Sequence, residues 1–252
     1  MLLIKFVRPD PNHVNGFLDG SVFFKNTGYF IDLEKSEKIK GIGDKYEGAL
    51  FRHLDTEKSI LMIEYKGEKF VLPTKRGFMT QTNESIRSLM LSCFTAISYS
   101  LDDLYLADDL KIENEEAIYK IKPSIIEGLA KEFEGRIPII IHDHKLFFNR
   151  LNKKASIEGI EYIADVVKYF DEYSKYPLTE EEAEKNIYKP LFYKRKYFEA
   201  QKEYRIIASN PSGKDSLTIE VGDLRDCAMQ LSSIQDLYGI GFTSGITEKH
   251  SV

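Results

Sequence analysis

The chain of 252 residues is acidic, with a net charge of −5, and combines 42% hydrophobic with 30% charged residues. This balance is too apolar for an intrinsically disordered chain and too charged for a membrane protein, so it indicates one large or two small globular domains. The acidic charge argues against a general nucleic-acid coat, although it leaves room for a local basic groove.

Signals for secretion, membrane insertion and metal binding are weak. The two cysteines, Cys93 and Cys227, are too few for a disulfide framework or a zinc cluster. The N-terminus becomes charged too early for a signal peptide, and no apolar run approaches the roughly 18 residues of a membrane span. His142 and His144 could be half a metal site, but a turn after a strand is the favoured interpretation. We expect a cytoplasmic protein with no membrane partner and no metal.

The first half of the chain predicts mainly strands. Residues 2–7 predict a first strand that Pro9 and Pro11 end, residues 16–24 a turn and a second strand, and residues 29–34 a short helix. Residues 59–65 and 69–72 predict a hairpin. The apolar residues 87–97 predict a buried strand.

The second half mixes helices and strands. Residues 125–133 have helical spacing before Gly135, and Thr179 is a helix cap for residues 177–186. Strands are predicted over residues 137–142 and 147–149, from about Tyr204, and over residues 216–221. Residues 159–169 are strand-like but could also be helical. A last helix is predicted over residues 223–237, before a loose tail from Thr243.

These elements predict one α+β domain over residues 1–252, with a mostly antiparallel or mixed central sheet and inserted helices. Strands are scattered through the chain, and regular alternation of strand and helix is missing. The chain also contains no internal repeat or linker. A doubly wound parallel fold is therefore disfavoured.

The strongest candidate for a functional site lies at the start of the strand near Tyr204. On an extended segment Gln201 and Glu203 point to the same face, where an amide and a carboxylate can bind a sugar hydroxyl and a nucleophile together. Glycosyl transfer needs such a carboxylate, because a negative charge stabilises the oxocarbenium-like transition state. The alternative is an ion pair between Glu203 and Arg205 or Lys202 on a solvated strand edge.

Two further groups are candidates for ligand binding. Lys5 and Arg8, at the end of the first strand, could clamp a phosphate or a carboxamide-bearing ligand, or could be surface charges. Ser92, Thr95 and Ser98, along the apolar strand, could bind a ligand or only neighbouring backbone.

Two other patterns have open interpretations. Asp44 and Glu47 lie in a glycine-rich bend, residues 41–48, where they could form a second acidic site, although turn stabilisation is favoured. Residues 188–198 interleave basic and aromatic side chains that could stack on bases and neutralise phosphate, or could form a helix face with core aromatics. These side chains are Tyr188, Lys189, Phe192, Tyr193, Lys194, Arg195, Lys196, Tyr197 and Phe198.

Taken together, the motifs resemble a family of bacterial and phage-borne domains of unknown function. That family has a basic residue after an early strand, an acidic F-N-D-P-F-E-like turn, a central C-F-S strand and a late E-x-E-[WY]-R motif preceded by K-x-x-x-[FW]. The corresponding residues here, in the same order, are Lys5 and Arg8, the turn Gly43-Asp44-Lys45-Tyr46-Glu47-Gly48, the strand Cys93-Phe94-Thr95, then Lys194 and Phe198, and finally Gln201-Lys202-Glu203-Tyr204-Arg205.

That family in turn resembles the ADP-ribosyltransferase superfamily, which implies a fold and a set of roles. Lys5 or Arg8 would contact the phosphates or ribose of NAD, and Ser92 or Thr95 would support the nicotinamide pocket. Glu203 would be the catalytic carboxylate and Gln201, in the place of the first acid, would orient the acceptor. The acceptor itself is left open by the glutamine.

The resemblance thus implies an NAD-dependent ADP-ribosyltransferase-like toxin or effector in phage–bacterium conflict. Arg205 would brace Glu203 or hold a phosphate. The expected partners are a macromolecular acceptor, protein or nucleic acid, and a neutralising antitoxin or chaperone. The alternatives are a nucleic-acid-directed module that uses residues 188–198, and a protein-interaction domain without catalysis.

Overall fold

The protein has an α+β fold with a mostly antiparallel sheet, as predicted. A computed structural model describes residues 1–37, 43–54, 60–72, 77–107 and 118–243. Parts of three predicted segments, residues 41–42 of the glycine bend, Ser59 of the hairpin and the tail beyond Thr243, lie outside the described residues.

The strands and α-helices follow one another without regular alternation. The strands are β1 (Leu2–Val7), β2 (Ser21–Asn26), β3 (Leu50–Leu54), β4 (Leu61–Tyr65), β5 (Glu68–Leu72), β6 (Gly77–Gln81), β7 (Met90–Ile97), β8 (Leu104–Leu106), β9 (Ile118–Ile121), β10 (Ile137–Ile141), β11 (Tyr162–Val166), β12 (Lys168–Phe170), β13 (Tyr193–Arg195), β14 (Glu203–Ala208), β15 (Ser216–Glu220), β16 (Ala228–Gln230) and β17 (Gly241–Thr243). The helices are α1 (Pro11–Leu18), α2 (Thr27–Glu37), α3 (Pro123–Glu132), α4 (His144–Ile157) and α5 (Glu180–Lys185), with shorter 3₁₀ helices over Glu84–Ser88, Lys189–Phe192, Lys196–Gln201 and Ile234–Gly239.

The central sheet has the strand order β11-β14-β7-β1-β10-β16, with β2 also paired to β7 and β15 paired to β2. All of these pairings are antiparallel. Strand β14 is hydrogen-bonded on both edges and every one of its residues is buried. Apolar side chains cover both faces of the sheet: Phe17 of α1 and Phe147 of α4 pack on one face, and Ile126 and Leu129 of α3 on the other.

The sheet opens at one point along β7. One edge of β7 pairs with β14 from Met90 to Thr95. On the other edge, β1 pairs only with Thr95–Ile97 and β2 only with Met90 and Leu91. The three residues between them, Ser92, Cys93 and Phe94, therefore face a gap between β1 and β2. We call this opening the sheet gap.

Several predicted elements are confirmed, among them β1, β7, α3, β10, β14, β15 and the hairpin of β4 and β5. Thr179 caps α5 in a reciprocal capping box with Glu182. Residues 16–18 belong to α1 and not to a turn, because Asp10 caps a helix that starts at Pro11.

Two predicted elements are wrong. Residues 147–149 are not a strand but part of α4, whose cap is the side chain of Asp143. The periodic burial of Phe147, Leu151 and Ala155 favours the helix. Residues 223–237 are not one helix, because Ala228–Gln230 extends the sheet as β16 and a new capping box at Ser233 starts a 3₁₀ helix. Pairing with β10 overrides the helical spacing there.

Gly48 offers a test of the packing next to Glu47. Its φ of +65° is left-handed, and an added Cβ would lie 2.4 Å from Ile86 Cδ1 and 2.9 Å from Leu191 Cδ2. Gly159 has nearly the same φ, +64°, but an added Cβ would meet no described atom within 4 Å. We expect both alanine variants to be strained, and Gly48→Ala to lose about 1–3 kcal/mol more than Gly159→Ala through overpacking. Urea unfolding measures the difference, and equal losses would contradict the packing described here.

Candidate functional site

A cavity of about 420 Å³ opens at the sheet gap. Its volume lies within the range of about 300–1,000 Å³ that small-molecule sites occupy. Residues far apart in sequence line it, from β1, β2, β7, β14 and the segment between α3 and β10. Segments that are distant in sequence therefore meet at the sheet gap.

Glu203 begins β14 and lies on the cavity wall, only 6% exposed. Its backbone is held from both sides: its N–H donates to the hydroxyl of Tyr169 at 2.8 Å, and its carbonyl accepts from Val167 N–H at 2.8 Å. Its Oε1 accepts from Arg205 Nε at 2.7 Å, and its Oε2 accepts from Lys194 Nζ at 2.8 Å. The carboxylate is therefore fixed in place before any ligand arrives.

Arg205 is the most deeply buried charge of the site, at 1% exposure. Both of its Nη atoms donate to the carboxylate of Glu47, and Nη1 also donates to the carbonyl of Leu191. One guanidinium thus joins β14, the glycine-rich bend and the segment before β13. Because its donors are used within the protein, Arg205 braces Glu203 and is not placed to hold a phosphate.

The predicted same-face alternation of Gln201 and Glu203 is wrong, because Gln201 ends a 3₁₀ helix and does not lie on the strand. Lys202 between them has a φ of 45°, a left-handed conformation that is uncommon for residues other than glycine. Lys194 still brings the two side chains together, since its Nζ donates to Gln201 Oε1 at 2.9 Å and to Glu203 Oε2. Gln201 Nε2 then donates to Glu132 at 2.8 Å.

The charges around Glu203 keep it ionised. Burial by itself would raise the pKa of the Glu203 carboxyl, but the charges of Arg205 and Lys194 outweigh it and hold the pKa well below its usual range. Opposite effects apply to Arg205: burial lowers its pKa, and the carboxylates of Glu203 and Glu47 raise it well above the ordinary value. At neutral pH Glu203 is therefore a fixed anion, whereas burial raises the pKa of the neighbouring Glu47 against the lowering effect of Arg205 and Lys194.

Lys5 belongs to β1, on the opposite side of β7 from Glu203, and its side chain contacts β7 at the sheet gap. Its Nζ donates to Cys93 O at 2.8 Å and to Ser92 Oγ at 3.1 Å, and it lies 4.5 Å from the centroid of the Phe94 ring. It thereby pairs with a strand carbonyl that faces the gap. The pKa of Lys5 is lowered to about 8, mainly by burial. Cys93 and Glu203 act to raise this pKa, whereas the charge of Arg136 lowers it further.

The other predicted site residues are placed differently. Thr95 lines the cavity, but its hydroxyl donates to the carbonyl of Gln201 at 2.9 Å and so supports the turn before β14. Arg8 is exposed and outside the cavity lining, and Ser98 lies after β7. Asp44 accepts from Arg195 at 2.7 Å and from Tyr46 N–H, so it has the turn-stabilising contacts that the sequence favoured.

The basic aromatic residues 188–198 are mostly directed inward. Lys194, Phe192 and Phe198 are buried, Arg195 is paired with Asp44 and Glu172, and Lys189 is paired with Glu182. Tyr197 is 60% exposed, and Lys196 is exposed as well. The segment is therefore largely structural and supplies Lys194 to the candidate site.

Further cavity residues were not singled out in the sequence. Glu132, Lys131 and Arg136 come from the end of α3 and the turn before β10, and Phe6 stacks on Phe133 at a centroid distance of 4.2 Å. No motif marks these residues, because only the folded arrangement places α3 beside β14. His142 follows β10 and Asp143 caps α4, and the described residues contain no cluster of three or more metal-binding side chains.

Comparisons with protein families, with curated proteins and with solved structures find no match to this chain. Within the described ranges, no helix is both long enough and apolar enough to cross a membrane. The function is therefore argued from the geometry and chemistry of the site.

Removal of Arg205 tests the buried ion-pair network. Arg205→Met leaves the carboxylates of Glu203 and Glu47 buried without their main partner, so we expect the free energy of unfolding to fall by about 3–5 kcal/mol. Arg150→Met, which breaks an exposed pair with Asp226, is the matched control and should lose about 1 kcal/mol or less. Urea unfolding of both variants measures this; losses of equal size would contradict a special role for Arg205.

Acid should weaken the protein through Glu203. The folded-state pKa of its carboxyl is lowered, so its contribution to stability is present above the unfolded-state pKa of about 4.3 and is lost as pH falls from there through the folded-state pKa. We expect Glu203→Gln to show a flatter fall in unfolding free energy below about pH 4 than the wild type. Parallel curves over that range would count against an ionised Glu203.

Proposed function

We propose that this chain is an NAD-dependent ADP-ribosyltransferase-like enzyme whose reaction takes place in the cavity at the sheet gap. One observation carries the proposal: Lys5, Gln201 and Glu203, from opposite ends of the chain, line a single cavity. The resemblance to ADP-ribosyltransferases implies this set of residues, and the fold brings it together. The carboxylate of Glu203, the amide of Gln201 and the cation of Lys5 suit a substrate in which a glycosidic bond joins a sugar to a positively charged ring.

In the proposed reaction, the bond between C1′ of the ribose and the nicotinamide nitrogen of NAD breaks. The electron pair leaves with nicotinamide, which becomes neutral, and positive charge develops on the ribose. A nucleophilic atom of the acceptor then forms a bond to C1′ and loses its proton. Glu132, whose carboxylate lines the cavity and accepts from Gln201, would take that proton.

Glu203 would act as an electrostatic stabiliser and not as a base. Its lowered pKa means that it remains an anion throughout the neutral pH range, beside the ribose where positive charge develops. Gln201 would orient the acceptor, with its amide held between Lys194 and Glu132. Arg205 would serve as a brace for Glu203.

The walls of the cavity suit the flat rings of a dinucleotide. Phe6 and Phe133 are stacked on one side, and Phe23 and Phe30 lie on the side of β2 and α2. Phe23 is 52% exposed, so a ring face is open to a ligand. Aromatic surfaces around a fixed carboxylate favour a substrate with both an aromatic ring and a sugar.

The rival hypothesis, a nucleic-acid module that uses residues 188–198, has less support. Stacking on bases needs exposed rings, whereas Phe192 and Phe198 are buried, and phosphate contacts need available cations, whereas Lys194 is tied to Glu203. We retain the macromolecular acceptor, the neutralising partner and the role in phage–bacterium conflict as parts of the proposal that the resemblance implies.

The test is transfer of label from NAD. Purified protein, incubated with NAD labelled in the adenylate part and a bacterial lysate, should label a macromolecule and release nicotinamide. Glu203→Gln should reduce both by about a hundredfold or more, since one oriented electrostatic contact to a transition state contributes about 10²–10³. Nuclease and protease treatment of the product identifies the acceptor class.

The matched control is Asp44→Asn. Asp44 is a buried carboxylate paired with an arginine, as Glu203 is, but it lies outside the cavity lining. It should retain transfer, and circular dichroism should show both variants folded at the assay temperature. Transfer by Glu203→Gln at the wild-type rate would refute the mechanism, and no nicotinamide release by the wild type with any lysate would refute the proposed activity.

A further inference from the structure

Four cations that line the cavity have no acidic partner among the described residues. Lys25, Lys131 and Arg136 form no ion pair there, and Lys5 contacts only a serine hydroxyl, a carbonyl and a ring. By contrast, Arg205 and Lys194 of the same cavity, and Arg195 outside its lining, are paired with carboxylates. We call Lys5, Lys25, Lys131 and Arg136 the cationic wall.

The carboxylates that line the cavity do not neutralise this wall. Glu47 and Glu203 are already balanced by Arg205 and Lys194 in the buried network. That leaves Glu132 and Glu134 against four cations, in a chain whose total charge is negative. The opening therefore carries a local surplus of two positive charges.

The cations of the wall also act on one another. Burial lowers the pKa of Arg136, and the neighbouring charge of Arg8 lowers it further. Arg136 in turn contributes to the lowered pKa of Lys5. Like charges held together without an acidic partner destabilise the folded chain, and a bound anion removes that repulsion.

The fold sets this arrangement through a short turn. Helix α3 ends at Glu132, Gly135 adopts a φ of +69°, and Arg136 N–H donates to Phe133 O at 3.0 Å before β10 begins. The turn brings Arg136 and the stacked Phe133 to the same cavity as Lys5 of the paired strand β1. An aromatic ring and unpaired cations thus stand side by side.

We propose that the cationic wall is a phosphate-binding site for the pyrophosphate bridge of a dinucleotide, with Arg136 as a principal contact. Two negative charges of such a bridge match the surplus of two positive charges, and guanidinium and ammonium groups suit phosphate oxygens. The identification of the ligand as a dinucleotide rests on the proposed function. The binding of a pyrophosphate group can be tested without any transfer reaction.

Isothermal titration calorimetry with inorganic pyrophosphate, ADP-ribose and adenosine tests the site. We expect the full chain to bind pyrophosphate and ADP-ribose at low salt, with affinity that falls as salt is added, and to bind adenosine at least tenfold more weakly than ADP-ribose. Arg136→Gln should weaken pyrophosphate binding roughly ten- to a hundredfold. Arg225→Gln, which alters an exposed arginine outside the cavity, is the matched control and should bind as the wild type does.

The remaining variants separate this inference from the proposed activity. Lys131→Met changes an exposed residue and should weaken pyrophosphate binding even if Arg136→Gln fails to fold. Pyrophosphate binding without NAD transfer would leave the phosphate site standing and refute the enzyme. Absence of pyrophosphate binding, or equal affinity in Arg136→Gln, Lys131→Met and the wild type, would overturn the phosphate site even if transfer occurred.

Discussion

The candidate site depends on the ion pairs that the buried guanidinium of Arg205 forms with Glu203 and Glu47. Arg205 lies in β14, between β11 and β7, and reaches two carboxylates, Glu203 of the same strand and Glu47 of a bend more than 150 residues away. It also orders the segment before β13, because its Nη1 donates a hydrogen bond to the carbonyl of Leu191. Burial of three charges together is tolerable only because each is paired, so the bend, the segment and the strand must be correctly placed at the same time.

The charged side chains of the cavity form two groups, a paired inner network and an unpaired outer wall. The inner network of Arg205, Lys194, Glu203 and Glu47 is neutral as a whole and rigid, while the outer wall that includes Lys5 and Arg136 is positive. A neutral inner network can hold a carboxylate in a fixed orientation without attracting small ions. A positive outer wall can attract an anionic ligand and draw its sugar towards that carboxylate.

Much of the fold could be predicted from sequence, because strands such as β1, β7, β10 and β15 are marked by apolar runs with turn residues at their ends. The position of Glu203 at the start of a strand was also predictable from the β-prone residues that follow it. The left-handed residue Lys202 was not, since no local pattern distinguishes it from an extended residue. Nor were Arg136 and Lys131, because their proximity to Lys5 arises from the pairing of β1 with β10 and not from any spacing along the chain.

Strand β14 is hydrogen-bonded to β7 on one edge and to β11 on the other, and its first residue is held in addition by Tyr169 and Val167. Movement of Glu203 would therefore require several backbone hydrogen bonds to break together. On the opposite side of the sheet gap, Lys5 of β1 is paired on one edge only, with Ile139, whereas Lys25 of β2 is paired on both edges, with Ser216 and Leu91. The carboxylate of Glu203 is therefore the fixed side of the cavity, and the backbone of β1 at Lys5, whose second edge faces the gap, is where the cavity can adjust to a ligand.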